Sequence, residues 1–190
     1  MKGCAILLSL AGVAAMAQPL TMNITATEDS IIVNDTFGMS NKDVALMNLG
    51  YGIDAAASGD YLGAIGYFDA ALLFDNSNPD IFYNRGLANF YLDSFQTALT
   101  DFNSTLTLDP EDTSALSQRG VTYAQLDNEI NALADFNKLL RVNPTSSVGH
   151  FNKGILYLQM GLTGEGCEWL KKAESLGYPS AEGVRSTYCE

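Results

Sequence analysis

Residues 79–112 read PDIFYNRGLANFYLDSFQTALTDFNSTLTLDPED, and residues 113–146 read TSALSQRGVTYAQLDNEINALADFNKLLRVNPTS. Laid one over the other, they place Gly86 over Gly120, Ala98 over Ala132, Phe102 over Phe136 and Pro110 over Pro144. The same step of 34 residues continues in both directions, through Gly52 and Gly154, Ala64 and Gly166, Phe68 and Leu170, and Ala71, Thr105, Leu139 and Ala173. Three glycine recurrences at one spacing arise by chance about once in a thousand trials, and the other columns lower that further. The chain is therefore an array of units spanning 45–78, 79–112, 113–146 and 147–180.

Each unit has the pattern helix, turn, helix. In the second, 81–92 and 95–108 both carry apolar residues at i, i+3, i+4 and i+7, separated by Asp93-Ser94. Neither helix can cover its own apolar stripe. The small residues at the eighth position (Gly86) and the twentieth (Ala98) allow close approach, and Phe102 fills the space beside them. Breakers separate the units: Asn76-Ser77-Asn78-Pro79, Asp109-Pro110, Asn143-Pro144 and Gly177-Tyr178-Pro179. Asn78 before Pro79 has the form of an N-cap followed by the first helical residue.

A helix-turn-helix period of this length, with small residues at positions 8 and 20, an aromatic at 24 and proline at 32, resembles the tetratricopeptide repeat. Phe82, Gly86, Ala98, Phe102 and Pro110 carry the likeness in the second unit, and Leu116, Gly120, Tyr123, Ala132, Phe136 and Pro144 in the third. The first has Asn76 in place of the proline, and the fourth has Gly166 in place of alanine, as end repeats modified into caps would. The resemblance implies an all-α fold, a right-handed superhelix of four repeats closed by a capping helix over 181–190. Within that helix Ser180 is the expected N-cap, and Ala181, Val184 and Tyr188 are the expected packed face.

The chain has 190 residues, 47% of them hydrophobic and 17% charged, with a formal net charge of −12. That composition builds cores and excludes a disordered acidic tail. The charge, with no offsetting Lys/Arg-rich run, argues against nucleic acid and anionic membrane as partners. Residues 1–17 combine a basic start, an apolar stretch Cys4 to Ala14 and Ala15-Met16-Ala17 before Gln18, the three parts of a secretory signal peptide. The apolar stretch is shorter than the roughly 20 residues a membrane span needs. Cleavage after Ala17 would remove Cys4 and leave Cys167 and Cys189. In an oxidising compartment an even pair is most simply a disulfide, the alternative being two reduced thiols. Closing a loop of about 23 residues is worth roughly 3 kcal/mol on the chain-entropy model. The run of Gly166-Cys167, Trp169, Lys172-Ala173, Leu176-Gly177 and Tyr188-Cys189 also looks like the end of many bacterial exported tetratricopeptide repeat proteins, which implies a periplasmic or secreted location. Residues 18–44 are polar and lack a helical period, and are expected to form a mobile leader. Ser30 to Val33 could form a strand there without an evident partner, and Ser40 with Asp43 marks a helix start. Asn23-Ile24-Thr25 and Asn34-Asp35-Thr36 fit the glycosylation sequon, a tripeptide frequent by chance.

Arg85, Arg119 and Lys153 form a cationic column at the seventh position, where the family usually has an apolar residue, and Asp101 and Asp135 follow with the same period. The expectation is structural: the stems pack on the facing helix while the heads pair with these aspartates. A ladder of positive charge for an acidic ligand is the competing reading. In the family, the first helix of each pair lines a concave groove. By that resemblance Tyr83, Asn84, Leu87, Phe90 and Tyr91, then Gln118, Val121 and Gln125, then Phe151, Asn152, Ile155 and Gln159 are candidates for binding an extended peptide. Amides would bond its backbone and rings would pack its side chains. Family members that grip a terminal carboxylate do so with basic residues in the groove. Here positions 5 and 9 hold Leu49, Tyr83, Ser117 and Phe151, then Ile53, Leu87, Val121 and Ile155, none of them cationic, which disfavours that mode.

Catalysis has little support. His150 is alone, no glycine-rich phosphate loop follows a strand, and the two cysteines lack zinc-ligand spacing. The function expected is non-catalytic binding of a protein or peptide segment, with no cofactor or metal. The alternative is a structural subunit of a larger envelope assembly that packs through its repeat ends or convex face.

Overall fold

The computed structural model describes residues 23–27, 30–34 and 38–189. The signal sequence at 1–17, Cys4, parts of the leader and of the second sequon lie outside them. The chain divides into two units, 1–40 and 41–190. In the first, β1 (Asn23–Thr27) pairs antiparallel with β2 (Ser30–Asn34), with Ile24 opposite Val33 and Thr27 opposite Ser30. The strand read at Ser30 to Val33 thus has a partner that the sequence did not reveal. Asn23–Thr27 looks polar, yet its Ile and Thr residues are ones a pleated surface accepts.

The second unit is all-α. Its helices are α1 (Asn41–Ala57), α2 (Tyr61–Phe74), α3 (Pro79–Tyr91), α4 (Phe95–Leu108), α5 (Thr113–Gln125), α6 (Glu129–Val142), α7 (Ser147–Gln159), α8 (Thr163–Ser175) and α9 (Ala181–Tyr188). Four antiparallel pairs stack in a row and α9 closes the end. The first helices of neighbouring repeats meet one another, α1 with α3, α3 with α5 and α5 with α7, while the second helices meet chiefly the first helices beside them. First helices thus line one side of the row, the all-α repeat solenoid expected.

The repeating columns explain how each pair closes. Phe68, Phe102, Phe136 and Leu170 are all buried, and so are Ala64, Ala98 and Ala132. A Cβ placed on Gly120 would lie 2.5 Å from the Phe136 ring, and one on Gly86 would lie 2.8 Å from the Phe102 ring. Glycine at the eighth position is thus a packing requirement of the large residue at the twenty-fourth. In the fourth pair, where Leu170 replaces the ring, the backbones themselves meet. A Cβ on Gly166 would lie 3.0 Å from the Gly154 carbonyl oxygen and 2.8 Å from Leu158. That is why glycine stands where the other repeats have alanine.

Starts and stops follow from capping. Asn78 accepts from the Asp80 amide at 3.0 Å with Pro79 as the first helical residue, and Asp60, Asp112, Asn128 and Ser146 cap their helices in the same manner. Every first helix ends on a residue in the left-handed region: Gly59 at φ 87°, Asp93 at 56°, Asp127 at 51° and Gly161 at 76°. The next amide returns to the carbonyl five residues back, as in Ser94 to Asn89 at 2.9 Å and Asn128 to Tyr123 at 2.9 Å. This is the Schellman arrangement, repeated at the same step of 34.

The C-terminal helix docks differently from the expectation. Ala181 is buried and Val184 half-buried, but Tyr188 is 59% exposed and Ser180 makes no capping bond. What holds α9 is Arg185, which donates to Glu174 at 2.6 Å, together with Cys189, placed at bonding distance from Cys167 with Cα atoms 5.8 Å apart. Eight residues with few apolar side chains bury too little to anchor themselves, so polar and covalent-range contacts substitute.

Candidate binding groove

The cationic column lies between successive second helices. Arg85 donates to Asp101 of its own repeat at 2.6 Å and to Asp69 of the preceding repeat at 2.6 Å. Arg119 repeats the geometry, with Asp135 at 2.6 and 2.8 Å and Asn103 at 2.7 Å. Each arginine thus spans partners sixteen residues before and sixteen after it. Burial works against the Arg85 charge, but the hydrogen bonds to Asp101 and Asp69 outweigh it and hold the guanidinium above its ordinary pKa. For Arg119 the bonds to Asp135 dominate, with the same direction.

Lys153 departs from the expectation that each cation meets an acid. Position 23 of the fourth repeat is Trp169, so the ammonium donates to Asn137 at 2.6 Å and sits 3.8 Å from the Trp169 ring centroid. With no carboxylate beside it, burial pulls its pKa down. His150 stacks on the same indole at 5.3 Å and its Nε2 lies 3.0 Å from the Pro144 carbonyl oxygen, a packed position. These cations are engaged within the array, so the ladder acts as a structural one. Among the described residues no three His, Cys, Asp or Glu side chains are placed to share a metal ion, and no helix is long and apolar enough to cross a membrane.

The inner surface is formed by α1, α3, α5 and α7, and three of its columns matter. The ninth position holds Ile53, Leu87, Val121 and Ile155, an apolar line with Ile53 44% exposed and the others half-buried. The sixth holds Gly50, Asn84, Gln118 and Asn152, and the thirteenth Ala57, Tyr91, Gln125 and Gln159. Between α5 and α7 the surface opens into a cleft of about 130 Å³ lined by Val121, Gln125, Phe151, Asn152, Ile155 and Gln159 together with buried neighbours. It is smaller than the roughly 300–1,000 Å³ of small-molecule pockets and matches a side chain. Asn152 of this lining donates to Ser117 of α5 at 3.0 Å, while the side-chain amides of Gln118, Gln125 and Gln159 make no hydrogen bond to the described residues.

The candidates divide between this surface and the array's own packing. Gln125, Phe151, Asn152 and Gln159 come together in the cleft, and Gln118 and Leu87 lie half-buried on the inner face. Tyr83 faces Phe102 at 6.0 Å. Burial, then the nearby Asp112 charge, push its hydroxyl pKa up. Phe90 packs edge-on to Phe95 at 5.4 Å, and Asn84 donates back to the Asp80 carbonyl at 2.8 Å. Tyr91 is 59% exposed but stacked on Tyr61 at 5.0 Å. Phe151 is covered on one side by Tyr178 at 4.2 Å. Sequence reasoning missed Tyr178, which sits among chain-breaking residues, and missed Leu46 of the first repeat, although the step of 34 residues leads from Leu46 to Asp80.

Comparison with known proteins agrees with this architecture. The tetratricopeptide repeat family model matches residues 113–146. A tetratricopeptide repeat protein from Parabacteroides merdae superposes with TM-score 0.70 at 27% identity, over 76% of this chain and 57% of that one. MamA from Desulfovibrio magneticus RS-1 superposes with TM-score 0.68 at 20% identity, over 77% and 84% of the two chains. TTC0263, a thermophilic repeat protein from Thermus thermophilus, gives TM-score 0.67 at 20% identity, over 76% and 80%. A search of curated protein sequences finds no match.

Proposed function

We propose that this chain, a tetratricopeptide repeat protein and so built on a scaffold for protein–protein interaction, binds an extended protein segment along its inner face. The cleft between α5 and α7 carries the reading, because it sets an apolar floor of Val121 and Ile155 beside the free amides of Gln125 and Gln159. A strand-like segment presents alternate side chains and unpaired backbone groups, which are the two things this surface can satisfy. The competing envelope-subunit reading would draw on outward apolar residues. Leu62 and Leu73 of α2 are each 73% exposed and Ile130 of α6 is 82% exposed, but exposed Asp69 lies between the first two, so they make no continuous patch.

We extend the proposal to location: the signal sequence directs export, and Cys167 and Cys189 oxidise in the compartment reached. N-terminal sequencing of the exported chain should begin at Gln18, and a chain that starts at Met1 would refute this. The groove is tested with an array of synthetic 12-residue peptides. Binders should lose at least about tenfold in affinity to Ile155→Asp with Gln159→Ala, a loss of about 1.4 kcal/mol. A helical content equal to that of the unsubstituted chain controls for folding, and unchanged affinity in the folded variant would remove the groove from the mechanism.

A further inference from the structure

Charge divides the array in two. Residues 41–112 carry eleven acids and two bases, whereas residues 113–189 carry seven of each. In the acidic half Arg85 is engaged by Asp69 and Asp101, and Lys42 acts on Asp75. Of the eight remaining acids, Asp43 and Asp54 lie within α1, and six stand at the ends of the inner helices: Asp60 and Asp93 in the turns after α1 and α3, and Asp80, Asp109, Glu111 and Asp112 where α3 and α5 begin. Asp80, Asp93 and Glu111 are exposed and form no ion pair among the described residues. No connection between helices from 58 to 180 contains Lys or Arg. Between these two edges the floor is uncharged, with Leu46, Ile53, Leu87 and Tyr91. An apolar track walled on both sides by the same sign of charge concentrates its field along the track. The loops that border α7, residues 143–146, 160–162 and 176–180, contain no charged residue.

We propose that the bound segment is itself divided: an uncharged part with one apolar side chain seats in the cleft between α5 and α7, and a Lys- or Arg-bearing part lies over α1 and α3. This rests on the groove reading above. Neighbouring helices pack 8–10 Å apart, so the two places are separated by about 20 Å, or about six extended residues. Charge at this distance from the cleft sets both the orientation of the segment and its salt dependence.

The test uses the full chain and fluorescent 12-residue peptides with a leucine near one end and, six residues away, two lysines, two glutamates or two glutamines, each made in both directions. Fluorescence anisotropy at 50 and 500 mM NaCl reads the affinity. In one direction the lysine peptide should bind about tenfold tighter than the glutamate peptide, and high salt should remove most of that advantage. Asp80→Asn, Asp93→Asn and Glu111→Gln together, none of which caps a helix through its side chain, should bring the lysine and glutamine peptides together. Binding that is indifferent to the charge of the peptide would overturn this inference and leave the groove reading standing. So would a lysine advantage that survives the triple substitution. Absence of binding by all of the peptides, or binding that Ile155→Asp leaves intact, would overturn both.

Discussion

The third and fourth repeats share a backbone plan and solve the same three problems with different residues. Behind the close-approach glycine the third places the ring of Phe136, and the fourth places Leu170 with a second glycine, Gly166, so that the helices draw together. Beneath the cationic column the third supplies Asp135 and the fourth Trp169. At the turn the third uses Asp127 in the left-handed region and the fourth Gly161. The repeat frame therefore prescribes volumes and backbone angles at fixed positions, and leaves open which residues meet them.

The largest test acts on volume. Phe136 and Leu170 are both buried, so Phe136→Ala should cost about 3–5 kcal/mol and Leu170→Ala about 2–5, the latter nearer the low end because it lies toward an end of the array and the α7–α8 backbones already touch. Urea unfolding measures both. Equal losses would mean that the glycine-to-glycine contact gives no relief. Gly166→Ala should be destabilising, although alanine is the residue at this position in the other repeats, because its Cβ meets Leu158 and the Gly154 carbonyl.

The next contrast is electrostatic. Asp135 is almost completely buried, with a side-chain exposure of 6%, and Arg119→Ala would strand it, so a loss of about 2–3 kcal/mol is expected. Lys153 has no carboxylate partner, so Lys153→Met should be close to neutral or slightly stabilising. Its size also depends on pH. A lysine whose folded pKa is lowered binds fewer protons folded than unfolded between that pKa and the ordinary value. The penalty it imposes is therefore present at neutral pH and relieved as pH rises toward the ordinary lysine range. The stability gap between Lys153→Met and the unsubstituted chain should narrow on that rise, and a constant gap would mean that Lys153 is not desolvated.

What the sequence disclosed follows from this division. Columns fixed by packing recur at 34 residues, so Gly86, Ala98 and Phe102 revealed the period and the helix pairs, and the family resemblance they carry implied which helices form the inner face. Pairing between the two helices of one repeat was legible for Arg85 and Arg119, because Asp101 and Asp135 keep the period, and failed for Lys153, because Trp169 does not; the partners in the preceding repeat, Asp69 and Asn103, were not anticipated. The inner-face aromatics divide their surface: Tyr83 and Phe151 stand at groove positions, and they also pack on Phe102 and Tyr178. Periodicity tells which side of a helix a residue occupies but not whether a loop folds over it. Tyr188 shows the same limit, placed by spacing on the packed face of α9 and left exposed because so short a helix is positioned by Arg185 and Cys189.

The smallest effect probes the turn. Asp93 at φ 56° and Asp127 at φ 51° occupy a conformation costing an ordinary L-residue roughly 1–2 kcal/mol, less for aspartate, whereas Gly59 and Gly161 adopt it freely. The larger unfolded-state entropy of glycine offsets part of any gain. Asp127→Gly should therefore raise stability by only about 0.5 kcal/mol, and Gly161→Asp should lower it by a similar amount. Because the helix-ending bonds, Asn128 to Tyr123 and Leu162 to Tyr157 at 2.9 Å each, are the same in both turns, the exchange isolates backbone conformation from hydrogen bonding. If Asp127→Gly instead destabilises the chain, the aspartate is retained for an interaction made outside its own turn. Asp127 is exposed beside the helix that forms one wall of the cleft, so loss of peptide affinity in that variant would then place the interaction with the bound segment.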